Sequence, residues 1–283
     1  MVLGHEGVGV VEKVGPAVST LKKGDRVGLG YQRDACGNCH ECISGQEVYC
    51  LKRAVYGAAN LDQGTFGSYA IWREPFAHPI PEGMSDEVAA PLQCAGATVF
   101  SALKDTSASD TVAIQGVGGL GHLAIQFAAK KGCRVVVLSG SDRKREQAMQ
   151  LGAHKFIAMN KGEGKELARD EAWLIDRLIV TAAAPPDWKV ILPMLAPRAS
   201  IFPLSVSFDN IDIPYLPVIL WGIRVQGSLV ATRAVHREML AFAALHGIKP
   251  ITEKFPMTEK GIVEAMDKLD KGQVNYRAVL MSQ

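Results

Sequence analysis

The pattern of hydrophobic and polar positions changes character near Ser85. Before it, apolar stretches are short and set between turns. Residues 8–14 (Val-Gly-Val-Val-Glu-Lys-Val) predict a strand stopped by Gly15-Pro16, and residues 68–72 and 77–80 predict two more. Residues 33–56 are polar and rich in cysteine with no apolar period, which predicts a loop held by something other than a core. After Ser85, strand and helix patterns alternate. Residues 86–103 are helix-compatible, with Pro91 and Gly96 as interruptions. Apolar runs at 111–115, 134–139, 155–158, 178–181, 199–202 and 223–228 predict strands. Between the first three lie a helical run ending at Lys131-Gly132 and a polar helix over 142–151 stopped by Gly152. Two final helices are predicted over 234–245 and 259–271. The second has Thr258 as its N-cap, an Ile262/Met266/Leu269 apolar face and Gly272 as its stop, and a strand over 278–281 closes the chain. Alternating strands and helices predict an α/β fold with a doubly wound parallel sheet covered on both faces.

Composition narrows the class. With 48% hydrophobic and 21% charged residues the chain is not disordered, and its 28 Gly and 14 Pro follow no short period. A balance of 31 basic and 29 acidic residues gives no argument for a nucleic-acid partner. The most apolar window, 213–223, contains Pro214 and Pro217 and falls short of the roughly 20 residues of a membrane span. The first residues show neither a basic nor an apolar leader region. The expectation is a cytoplasmic protein with no membrane partner.

Four of the six cysteines, Cys36, Cys39, Cys42 and Cys50, form a C-x2-C-x2-C-x7-C array in the polar loop. Cysteines three apart turn successive thiolates onto one centre, and four complete a closed structural zinc site. Lys52 and Arg53 follow, and cations there favour the thiolate form. Disulfides or an iron–sulfur cluster are the alternatives. The first conflicts with the lack of a leader, and the second usually has proline after its last cysteine, where this chain has Leu51. A zinc nucleic-acid module is a distant further reading, since the loop carries Asp34, Glu41 and Glu47 and no interleaved aromatics.

Gly116-Val117-Gly118-Gly119-Leu120-Gly121 satisfies G-x-G-x-x-G between a predicted strand and a predicted helix, the context that makes it a dinucleotide fingerprint. An NAD site places an acid at the end of the next strand, to hold the ribose. Here that strand ends Ser139-Gly140-Ser141-Asp142-Arg143-Lys144-Arg145. Ser139 and Ser141 beside Arg143 and Lys144 suit a 2′-phosphate, so the expected cofactor is NADP(H) in preference to NAD(H). The alternatives are a solvated first helical turn and Asp142 as an N-cap.

These motifs stand in one order. Gly4-His5-Glu6-Gly7-Val8-Gly9 with Gly15 and Val18 leads, followed by the four-cysteine loop, Pro91-Leu92-Gln93-Cys94-Ala95-Gly96-Ala97-Thr98, and the glycine loop. In that order the chain resembles the zinc-containing medium-chain alcohol dehydrogenases over essentially its whole length, and its Ser139/Ser141/Lys144 region resembles the NADP-dependent cinnamyl alcohol dehydrogenase branch. The resemblance implies a Rossmann domain over 103–232 and an incomplete GroES-like β-barrel catalytic domain over 1–102, to which 233–283 returns. It also implies a catalytic zinc at His5 and Cys94 with Glu6 as neighbour or ligand, and Thr98 toward the nicotinamide end of the cofactor. The implied reaction is hydride transfer between NADP(H) and a small alcohol, aldehyde or ketone in a dimer or tetramer. The family's first zinc cysteine and its proton-relay hydroxyl lie upstream of the Gly-His-Glu string, so the expectation is an N-terminally shortened chain. The rival expectation is a catalytically silent nucleotide- and zinc-binding remnant.

Overall fold

A computed structural model describes residues 1–164 and 170–282. It forms two compact units, one of Met1–Ser101 with Leu229–Gln283 and one of Ala102–Ser228.

The first unit begins with small antiparallel sheets. β1 (Gly7–Val10) pairs with β2 (Arg26–Leu29), which pairs in turn with β5 (Ala77–Pro79). β3 (Gln32–Asp34) and β4 (Ala54–Val55) pair across the base of the cysteine loop, which carries the short helix α1 (His40–Ile43). Residues 68–72 do not form the expected strand. Tyr69 and Ile71 are 82% and 84% exposed, and the Ile71 carbonyl accepts a bond from the Gln63 side chain (2.8 Å) in place of a ladder. After α2 (Asp86–Pro91) the chain widens into a π-turn over Leu92–Gly96 and resumes as α3 (Ala97–Ala102). Pro91 brings no N–H to the ladder, and the buried Gln93 amide donates to the Ala89 carbonyl (2.9 Å).

The second unit is one six-stranded parallel sheet. In chain order its elements are β6 (Thr111–Gln115), α4 (Gly121–Lys130), β7 (Arg134–Ser139), α5 (Arg145–Gln150), β8 (Lys155–Ala158), β9 (Ile175–Val180), α6 (Trp188–Ile191), β10 (Leu195–Pro203), α7 (Tyr215–Trp221) and β11 (Arg224–Val225). The order across the sheet is β11-β10-β9-β6-β7-β8. The central strands are buried on both faces, with Val112, Ala113, Ile114 and Val135 to Leu138 fully covered, which is why they read as unbroken apolar runs. The chain winds outward from β6 through β7 and β8, then returns to the other side of β6 as β9. The C-terminal end of β6 therefore lies at the point where ligands bind in such sheets. The predicted 223–228 strand shortens to the two residues of β11, and the 142–151 helix begins as a 3-10 turn before α5.

The chain then returns to the first unit as α8 (Arg233–His246), β12 (Thr252–Pro256), α9 (Glu259–Asp270) and β13 (Arg277–Met281), which lies parallel to β12. Thr258 caps α9 by accepting from the Gly261 N–H (3.2 Å). The expected apolar face of α9 is only partly covered: Ile262 is half-buried, while Met266 and Leu269 are 53% and 63% exposed. No closed barrel is present among the described residues.

α8 also buries His236, whose ring stacks on His78 at 3.8 Å and whose Nε2 meets the Gln93 side-chain oxygen at 2.9 Å. Burial, with the Arg237 charge adding, pushes His236 down to about 3, and burial holds His78 well below its usual range too. Unfolded histidines titrate near 6.5, so below that pH the unfolded chain takes up protons that the native state refuses. Stability is therefore complete above about pH 6.5 and is lost as pH falls toward about 3, with His236 alone costing roughly 2 kcal/mol at pH 5. Urea unfolding midpoints should fall steadily between about pH 7 and pH 5, and His236→Asn should flatten the slope. An unchanged slope in that variant would contradict the assignment.

Candidate metal and dinucleotide sites

The four loop thiols converge. Their sulfurs all lie within 4.8 Å of one another, with Cys36 to Cys42 at 3.9 Å and Cys36 to Cys50 at 3.6 Å. A zinc ion with sulfurs at about 2.3 Å sets tetrahedral edges of about 3.8 Å, so the cluster fits a closed zinc site. Backbone N–H groups of Asn38 and Cys39 lower the Cys36 thiol to about 6, while burial raises Cys42 to about 12. The main helpers of Cys36 are thus amides, not the Lys52 and Arg53 charges expected from sequence; Arg53 instead donates to the Cys50 carbonyl (3.2 Å). The loop is tied down by Glu47, 2% exposed, whose carboxylate accepts from the Arg233 backbone N–H (2.6 Å) and Nε (3.0 Å) at the start of α8.

The glycine loop follows β6 and opens α4. Gly116 has φ +94°, a left-handed conformation that favours glycine. A Cβ on Gly121 would lie 1.9 Å from the Gly116 carbonyl oxygen, so the third glycine is what lets helix and strand close up. A Cβ on Gly118 would meet nothing within 4 Å, which leaves open space where backbone approaches a pyrophosphate. Thr181 donates to the Gly116 carbonyl (3.0 Å), His122 Nδ1 bonds the Gly118 carbonyl (3.0 Å), and Lys144 Nζ donates to the Val117 carbonyl (2.7 Å). No side chain caps α4, so the N-terminal end of its dipole is available to an anion. Gly119 and Leu120 complete the loop.

At the end of β7, Ser139 Oγ accepts a long bond from the Ser141 N–H (3.5 Å). Asp142 pairs with Lys161 (2.5 Å) and Arg145 with Glu163 (3.0 Å). Arg143 is exposed, and Lys144 is turned to brace the loop.

A third neighbourhood gathers around Glu6. One of its oxygens accepts from the Ala95 N–H (3.0 Å), and the other pairs with Arg277. Cys94, in the π-turn, is raised to about 12 by burial and then by the Glu6 charge, and Thr98 bonds its thiol. His5 packs against Tyr56 (4.8 Å) and Tyr31 (5.6 Å), and burial lowers its pKa, which favours the neutral imidazole. His5, Glu6 and Cys94 thus share one neighbourhood but do not assemble into a three-ligand group. Among the described residues only the four loop cysteines do so. A groove of about 1520 Å³ runs beside His5 and Glu6, with Phe66, Trp72, Met266 and Leu269 in its walls.

Known proteins are similar to this chain in sequence and fold. Residues 1–82 match the alcohol dehydrogenase GroES-like domain, and residues 119–244 match the zinc-binding dehydrogenase family. An alcohol dehydrogenase of Geobacillus stearothermophilus is 36% identical over 99% of this chain and 82% of its own length. A cinnamyl alcohol dehydrogenase of Sorghum bicolor superposes with TM-score 0.89 at 32% identity, covering 98% of this chain and 80% of that one. A Helicobacter pylori structure titled as CAD complexed with NADP(H) gives 0.82 at 26% identity, with 98% and 80% covered. The chain belongs to the zinc-containing alcohol dehydrogenases.

Sequence reasoning missed several residues of this alcohol dehydrogenase. Arg277 reaches Glu6 across 271 positions, and nothing local marks it. Tyr56, whose hydroxyl accepts from the Gly4 N–H (3.1 Å), follows the cysteine loop with no motif of its own. In the sequence Glu47 is one acid among the loop's charges, and nothing local marks its bond to Arg233. Among the described residues no helix is long and apolar enough to cross a membrane.

Proposed function

We propose that this alcohol dehydrogenase exchanges hydride between NADP(H) and a small primary or secondary alcohol, or its aldehyde or ketone. The observation that carries the reading is the Gly116–Gly121 loop, with its closed Gly121 contact and open Gly118 face, followed by a strand that ends on Ser139 and not on an acid. The cofactor supplies or accepts the hydride when bound. The loop's backbone would hold the pyrophosphate, and Ser139, Ser141 and Arg143 the 2′-phosphate. Lys144 holds the loop through Val117, so its contribution there is positional. The NADP(H) complex of the Helicobacter relative supports this choice. Arg143→Ala should weaken NADPH binding about tenfold and leave NADH binding unchanged, as expected for a lost charge-assisted bond. Equal losses for both cofactors in a fluorescence titration would overturn the NADP(H) assignment.

A second reading, a silent cofactor-binding relative, is favoured by one observation: His5, Glu6 and Cys94 do not form a three-ligand group. Free cysteines throughout suit a reducing, cytoplasmic setting. A homodimer through the edge of the second unit is supported by Tyr215 and Leu220, which are 81% and 69% exposed on the helix that leads into the edge strand β11. A single-chain mass by light scattering would contradict it.

A further inference from the structure

Arg33 is a buried cation without an acid. Just before and within β3, Tyr31 and Arg33 are two residues apart and share a face, while Gln32 between them sends its amide to the Glu47 carbonyl (2.9 Å). Arg33 is 3% exposed. Its Nη1 donates to the carbonyls of Ala59 (3.2 Å) and Asn60 (2.6 Å). Its Nε is buried with no partner, and among the described residues nothing bonds Nη2. The rings of Tyr56 and Trp72 each lie 5.4 Å from the guanidinium carbon, and Trp72 is held by its own bond to the Phe76 carbonyl (3.1 Å). The nearby carboxylates are engaged elsewhere, Asp34 by Arg73 and the Ala35 N–H, and Glu6 by Arg277 and the Ala95 N–H. The ionisable neighbour that acts on Arg33 is the Tyr56 phenol.

A desolvated guanidinium without a counter-charge is costly, and Nε–H and Nη2–H form the two-toothed edge that a carboxylate fits. That edge is the one left unpaired. His5 lies 4.8 Å from the Tyr56 ring on which Arg33 also stacks, which places the guanidinium within about 10 Å of His5. We propose that Arg33 is the anion-binding end of the substrate site, taking a carboxylate carried by the substrate itself, so that the reacting aldehyde or alcohol bears a second, acidic group. A single guanidinium between two aromatic rings matches the one charge of a carboxylate group better than the two charges of a phosphate group. The inference rests on the oxidoreductase reading above.

The test uses the zinc-loaded full chain with succinic semialdehyde and its methyl ester as paired substrates, and glutarate as an unreactive probe. The acid should be reduced with a kcat/KM at least about thirtyfold above that of the ester, mainly through KM, as expected where a site built for a charged group meets an analogue without it. Arg33→Met should erase the preference and abolish glutarate binding measured by calorimetry, and Arg33→Lys should keep part of it. In the wild-type chain, glutarate should protect Arg33 from phenylglyoxal, a readout that stands if the methionine variant does not fold. Equal turnover of acid and ester, or glutarate binding untouched by Arg33→Met, would overturn the proposal. Glutarate binding that depends on Arg33 without turnover of any aldehyde would leave the anion site standing and sink the oxidoreductase reading.

Discussion

Stripping zinc from this alcohol dehydrogenase, or replacing Cys42 with serine, is expected to lower its thermal midpoint by on the order of 10–20 °C and to release the metal. The loop of residues 33–56 contributes little to a core, since Cys42, Val48, Cys50 and Val55 are its buried apolar groups. Metal binding stands in for that core. Structural zinc in small domains contributes on the order of 10 kcal/mol, as large as the whole stability of a typical domain. Serine offers a hard, protonated oxygen where the site needs a thiolate, and the hydroxyl is left buried at a position only 8% exposed. The loop also anchors α8 through Glu47 and Arg233, so its collapse would loosen the return segment as well. Metal analysis together with thermal unfolding tests this. A chain that keeps its midpoint after chelation would show that the thiols are not a structural centre.

The second large effect is expected at the glycine loop, and two substitutions separate its causes. Gly121→Ala puts a methyl 1.9 Å from the Gly116 carbonyl, an overlap that only a shift of α4 against β6 can relieve. It should destabilise the second unit by about 1–3 kcal/mol and weaken NADPH binding by roughly a hundredfold or more. Gly118→Ala meets no protein atom within 4 Å, so its fold should be untouched while its methyl occupies the approach to the pyrophosphate. The expected pair is therefore loss of stability and binding in one variant, and loss of binding alone in the other. Tight NADPH binding by Gly118→Ala would place the cofactor elsewhere.

Much of the second unit was legible because its strands are buried on both faces. Residues 155–158 form β8 as read, and 134–139 form β7, since an unbroken Val/Leu run has no other home. The cysteine loop was legible for a different reason: metal ligands repeat at spacings fixed by a tetrahedron, and the structure brings all four together. The first unit was harder. The alternation at 68–72 looks like a half-buried strand, yet among the described residues no strand pairs with it, and Tyr69 and Ile71 stay exposed. The apolar stripe of α9 likewise describes a face without saying what covers it, and Met266 and Leu269 line an open groove. Contacts that depend on distant chain, such as Arg277 with Glu6 or His236 with Gln93, leave no periodic trace. Lys144 shows the same limit at short range, because its charge marks it as a phosphate ligand while nothing in its spacing marks its bond to the Val117 carbonyl.

The most direct test of the central claim is to incubate the zinc-loaded chain with NADPH deuterated at the transferable position and an aldehyde, and to analyse the alcohol by mass spectrometry. The account predicts alcohol carrying one deuterium for each NADPH consumed. Bound NADPH with no deuterated alcohol would contradict it, and would leave the chain a cofactor-binding protein without turnover.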